Sequence, residues 1–387
     1  MRRQTHSQGT RGFSLVELLI ALVLGSFSVV VAAEVAGMAT RQSGRGEQVT
    51  ALSQSTRLIG RQIRTDIKLA GYGSTGAIGV DPGVQPWAAM QVATFGGFNA
   101  IPAVRGADNL PGGAIGGVAI LPGSDAIQIV VPNPATMTRT TIAIPRTTPL
   151  CPGVPCAAGL PLVPLPVAGC ALMFISDHSG ATGAGKTQVF APGNTMQFDA
   201  APGSELMCAR ISTYFVDTNN NLRRVDLAPN VAPGVAAGAS GTRVFNNSAL
   251  SGVADVVTPG VLDLQFAYQA SSEVYVNPVV APAARWAFDG AGNALDGLIA
   301  GPERNWFEVR EVRLNVLVRT LRAVDNVRDT EPRTEAVLEN SAVVIPPRDL
   351  AVAFGRSRLT TSELLTNVKL FDLNVSRGAP AEPFLRY

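Results

Sequence analysis

At 387 residues the chain is long enough for one large or two modest folded units beside a membrane segment. The net charge is +2, but Arg2, Arg3 and Arg11 stand in a leader with no acid, and without them the balance is 28 basic to 29 acidic residues. A near-neutral body gives no polyanion-binding surface, which sets nucleic acid aside as a partner, and an apolar fraction of 46 % is too high for disorder.

Residues 1–12 form the basic leader. From Phe13 to Ala33 the chain carries one charge, Glu17, and the roughly 21 residues available match the roughly 20 needed to cross a bilayer. The basic leader predicts a single pass through the inner membrane, with the N-terminus cytoplasmic and the bulk of the chain periplasmic or extracellular. An acid at the head of such a segment is costly unless something pairs with it, so Glu17 reads as functional. We divide the helical region into a transmembrane and assembly helix (13–38) and an amphipathic helix (39–70). In the second part, Val49, Leu52, Thr56, Ile59, Ile63, Ile67 and Ala70 recur at spacings of three and four, while Arg57, Arg61, Arg64 and Lys68 keep the same period on another face. The apolar stripe is expected to pack on the protein's own sheet and the basic face to meet solvent. Gly71 and Gly73 end the helix. Gly37, Gly44 and Gly46 each weaken it by about 1 kcal/mol relative to Ala, which predicts a bend or local melting.

Charged residues make up only 16 % of the chain, while 39 Gly and 27 Pro favour turn-rich β structure in the globular part, 71–387. Residues 71–124 read as a loop-dominated insertion. Strands are expected at Ala126–Val131, Thr140–Ile144, Ala171–Ser176, Ala209–Val216 and Leu222–Val225. Asp217-Thr-Asn-Asn-Asn221 forms the hairpin turn between the last two. Residues 226–260 read as a linker, followed by strands at Leu262–Tyr268, Phe307–Leu321 and near Asn367–Val375. In Phe307–Leu321, Val312, Leu314, Val316 and Val318 face one way, with Arg313, Asn315 and Arg319 opposite. The order gives an α+β fold: a long N-terminal helix packed on an antiparallel sheet.

The four cysteines are Cys151, Cys156, Cys170 and Cys208. An even number in an exported region implies two disulfides, with three pairings open; Cys151–Cys156 as a small loop and Cys170–Cys208 across two strands are the candidates. The spacings do not suit zinc. Gly180-Ala-Thr-Gly-Ala-Gly-Lys-Thr187 matches a phosphate-loop pattern, but Pro192 and Gly193 fall where its helix should run. Asp217-x-Asn219-x-Asn221 begins like a calcium loop, but Leu222 replaces the required Gly and Ala228 the bidentate Glu. Ser176-Asp177-His178 holds triad residue types that are too close in sequence to converge. No catalytic residue, metal site or cofactor is assigned, and the chain is expected not to be an enzyme.

Gly12-Phe13-Ser14-Leu15-Val16-Glu17, with the apolar run behind it, resembles the processing site of type IV prepilins. A secretory cleavage after Val31-Ala32-Ala33, or an uncleaved anchor, would leave Glu17 unexplained. Within that class Ile63–Gly73, Cys208–Val216 and Val309–Arg319 are similar to minor pilins of the PilW type. The resemblance implies cleavage after Gly12 by a prepilin peptidase and N-methylation of Phe13. It further implies that Glu17 is an assembly carboxylate pairing with the Phe13 amine of a neighbouring subunit. The implied role is a structural minor subunit of the type IV pilus that primes assembly and lies near the tip. Its partners would be other minor and major pilins and a tip adhesin, and its loss would affect twitching motility or cell adhesion. Two rivals share the anchor: a J-type pseudopilin of type II secretion, and a surface adhesin using 71–124 for binding.

Overall fold

The computed structural model describes residues 14–74, 77–80, 84–85, 93–95, 98–107, 109–147, 170, 172–177, 186–190, 196–227, 245–246, 254–270, 309–319 and 356–364. Ser14 starts the first element. Its side-chain oxygen accepts the Val16 N–H, and Glu17 returns a carboxylate oxygen to the Ser14 N–H at 3.0 Å, closing a capping box. From there α1 (Leu15–Leu69) runs 55 residues without interruption, about 82 Å. The expected local melting is not present. The helix continues through Gly37, Gly44 and Gly46, and a Cβ added at any of them would meet nothing within 4 Å. It stops where Gly71 and Gly73 take left-handed φ angles of 58° and 75°, and the Gly71 N–H leaves for the Val130 carbonyl at 2.9 Å.

Fifteen strands follow before the second sheet: β1 (Ala77–Val80), β2 (Val84–Gln85), β3 (Ala93–Phe95), β4 (Phe98–Pro102), β5 (Val104–Ala107), β6 (Ala114–Ile115), β7 (Val118–Ala119), β8 (Ala126–Pro132), β9 (Thr138–Arg139), β10 (Leu172–Asp177), β11 (Lys186–Phe190), β12 (Glu205–Val216), β13 (Asn221–Asp226), β14 (Phe245–Asn246) and β15 (Asp255–Pro259). The large sheet has the path β15-β13-β12-β10-β11-β1-β4-β3, with β8 and β9 on β12 and β5 on β8. All its pairs are antiparallel except β1 with β11. A second, antiparallel sheet is β16 (Val261–Ala270), β17 (Val309–Arg319) and β18 (Arg356–Leu364).

Three expectations need correction. Residues 71–124, expected to be loop-dominated, also supply seven short strands, β1 to β7, some of which pair far along the chain, such as Gly79 beside Gln188. Thr140–Ile144 is not a strand; only Ile144 bridges to Ala200. The 226–260 linker holds β15, which pairs with β13. The strand expected near Asn367–Val375 lies outside the described residues.

One apolar cluster joins helix and sheets. On α1, Ile59, Ile63, Ile67 and Ala70 are fully buried, and α1 lies against β8, β15, β17 and β18. Val312, Leu314, Val316 and Val318 of β17 face into the same cluster. The opposite face of β17 departs from simple alternation, since Asn315 there is fully buried as well. A satellite cluster gathers Ile144, Met173, Ile175, Phe190 and Leu206 beneath the turn from β9.

Candidate assembly site

The first half of α1 differs from the second in what surrounds it. From Leu15 to Ala51 no described side chain is buried, and Leu15–Val35 presents large apolar residues on every face. That part is long and apolar enough to cross a bilayer. Its hydroxyls do not disturb it: Ser26 and Ser28 donate to the Val23 and Leu24 carbonyls at 2.9 and 2.8 Å, so they are satisfied within the helix. Gly12 and Phe13 lie outside the described residues. Glu17 lies one turn inside the helix, exposed, with a carboxylate oxygen on the Ser14 N–H. The same acid that reads from sequence as a partner for another subunit therefore also closes its own helix end.

The second half of α1 is clamped to the large sheet by a residue that periodicity did not single out. Asp66 is 2 % exposed and accepts a hydrogen bond from the Tyr214 hydroxyl at 2.6 Å. Its other oxygen pairs with the Arg210 guanidinium at 2.5 Å. Burial, and then the neighbouring Asp66 charge, push the Tyr214 hydroxyl well above its usual range, so it stays a donor at any physiological pH. Asp66 was findable: it stands three residues after Ile63 and four before Ala70, on the buried stripe itself. The basic face, Arg57, Arg61, Arg64 and Lys68, is exposed on the far side of the helix.

The remaining sequence candidates resolve as follows. Cys170 and Cys208 form a disulfide between the start of β10 and β12, with Cα atoms 5.4 Å apart. Cys151 and Cys156 lie outside the described residues. The phosphate-loop pattern runs into β11 at Lys186–Phe190, a strand where nucleotide binding needs a helix N-terminus. The calcium-like acid Asp217 is fully buried in the β12–β13 turn. Its carboxylate accepts from the Asn219 and Asn221 amides, the Asn221 side chain and Arg223, which leaves no open coordination. Ser176 donates to the Gly73 carbonyl at 2.5 Å and Asp177 accepts the Ala201 amide at 3.2 Å; both are structural. Among the described residues no three His, Cys, Asp or Glu side chains group as metal ligands.

Residues 8–33 match the prokaryotic N-terminal methylation motif, a span that holds Gly12, Phe13, Ser14 and Glu17. No curated protein matches the chain. Among solved structures, a type IV-like pilin from Thermus thermophilus is similar at 12 % identity and a TM-score of 0.28, covering 82 % of this chain and 98 % of that one. The chain thus carries a prepilin-type N-terminal motif at the head of a membrane-length helix, followed by a strand-rich globular part.

Proposed function

We propose that the protein is a structural minor subunit of a type IV pilus, anchored in the inner membrane until assembly, with its N-terminus cytoplasmic and its globular part outside. A prepilin peptidase would cut after Gly12 and methylate Phe13. The observation that carries the reading is the methylation motif over residues 8–33, placed on a helix in which no described side chain from Leu15 to Ala51 is buried, a face left for a partner. Once Phe13 is the N-terminus, its amine lies at the membrane edge beside Ser14. Glu17 of a neighbouring subunit can neutralise it there, because a charge pair in low dielectric far exceeds its strength in water when both groups are already desolvated. Asp66, Arg210 and Tyr214 transmit that docking to the sheets by fixing the helix to them.

Mass spectrometry of the mature protein tests the processing step: the reading requires a methylated Phe13 at the N-terminus, and an intact leader or a start at Glu34 overturns it. Glu17→Ala tests assembly. The variant should be processed but nearly missing from mechanically detached pili, and normal recovery would refute the pairing. A deletion strain that keeps twitching motility and loses type II secretion would move the protein to the secretion machinery.

A further inference from the structure

α1 carries a second carboxylate near its apolar segment that neither the sheets nor the Glu17 pair uses. Glu34 is exposed and stands 17 residues beyond Glu17. The two lie about 26 Å apart along the helix axis, short of the roughly 30 Å of a hydrocarbon core. The residues between them are uncharged, and so is Val35–Thr40 beyond Glu34, up to Arg41. Val35 and Met38 in that stretch are 59 % and 63 % exposed. But for Glu34, the uncharged run would be Leu18–Thr40, about 35 Å, enough to span the core with Glu17 left among the cytoplasmic headgroups.

The two acids do not share the shortfall equally. In an α-helix each Cα–Cβ bond leans toward the N-terminus. With the N-terminus cytoplasmic, Glu17 leans toward the nearer water, whereas Glu34 leans back into the bilayer. Glu17 also has a carboxylate oxygen on the Ser14 N–H at 3.0 Å, one turn closer to the surface. Glu34 has neither advantage, since it lies mid-helix, where the backbone N–H groups around it belong to the helix ladder. A carboxylate in hydrocarbon is costly, so the backbone at Glu34 must clear the core, and the helix rises until it does. Glu17 is then drawn about 4 Å inside the inner boundary, and Val35–Thr40 stands above the outer one.

We propose that Glu34 is a positioning residue that holds α1 raised in the bilayer, so that assembly starts from a subunit already partly withdrawn. This role rests on the membrane-anchored placement proposed above, with the N-terminus cytoplasmic. It concerns depth alone and leaves the partner of Glu17 as it is.

The test measures depth on the full-length protein in spheroplasts. With Glu34 at the outer boundary, Met38→Cys lies about 6 Å above it, and a membrane-impermeant maleimide should reach the thiol. The chain without the added cysteine sets the background. Adding Glu34→Leu should let the helix sink and slow the labelling about tenfold, whereas Glu34→Asp should keep the rate. Glu34→Ala with Val35→Glu returns an acid to nearly the same depth on another face and should restore the rate. In piliating cells, recovery in detached pili should fall about fivefold in Glu34→Leu and return when the acid is relocated. No labelling with Glu34 intact, or labelling that Glu34→Leu leaves unchanged, overturns the proposal. Recovery that falls and does not return with the relocated acid overturns it too, because Glu34 then acts through a partner on its own face. The labelling needs no filament, so an intact leader on the mature chain would overturn the pilus reading and leave the depth result standing.

Discussion

Asp66 binds the helix to the sheet through two donors that are 144 and 148 residues away in sequence. Removing the carboxylate in Asp66→Ala leaves the Tyr214 hydroxyl buried without its acceptor, and should cost about 2–3 kcal/mol, read as a fall in the unfolding midpoint. Tyr214→Phe removes donor alone and should cost less, because Arg210 still holds the acid. Asp217 gives a pH signature. Burial pushes its carboxyl up, but the Asn221 hydrogen bonds and then Arg223 outweigh that, and the group ends below its ordinary value. The folded state therefore holds this proton less readily than the unfolded chain. Its stabilisation is complete above about pH 4 and is lost as pH falls through the depressed folded value. Acid unfolding of Asp217→Asn should lack this part of the slope. Sequence placed Asp217 in a turn but passed over Asp66, and it gave the partners of neither, which only the β12 register brings into reach.

Elements were legible in proportion to how local their cause is. The α1 stripe from Leu52 to Ala70, the β17 alternation and the β12–β13 hairpin each follow from spacing within one segment, and the structure has them. The strands between 77 and 119 are two to five residues long; β1 and β5 depend on β11 and β8 further along the chain, and β3–β4 and β6–β7 are local pairs too short for composition to announce. One of them shows how tight that dependence is. Gly106 in β5 lies against Tyr268 of β16, and a Cβ there would sit 1.8 Å from the Tyr268 hydroxyl. Gly106→Ala must displace a ring that is 2 % exposed, and should destabilise by about 1–3 kcal/mol. Chemical denaturation of the variant beside Gly106→Ala with Tyr268→Phe checks this, since loss of the hydroxyl should relieve part of the clash.

At the scale of the whole molecule, a projecting helix and a two-sheet body meet along one face, and a single described disulfide closes a 38-residue separation within the body. The loop-entropy argument gives that bond roughly 4 kcal/mol. Cys208→Ser, or reduction of the wild type, should lower the unfolding temperature without preventing insertion of α1 into the membrane, and a membrane-extraction assay separates the two effects. In the pilus proposed above, tension would reach the body along α1, which is continuous from the capping box to the Asp66 clamp. The ion pair and the isoleucines beside it then meet the pull in shear, all at once, instead of being peeled apart one by one. A subunit joined this way yields as a unit, and its breaking force should drop sharply when Asp66 is removed.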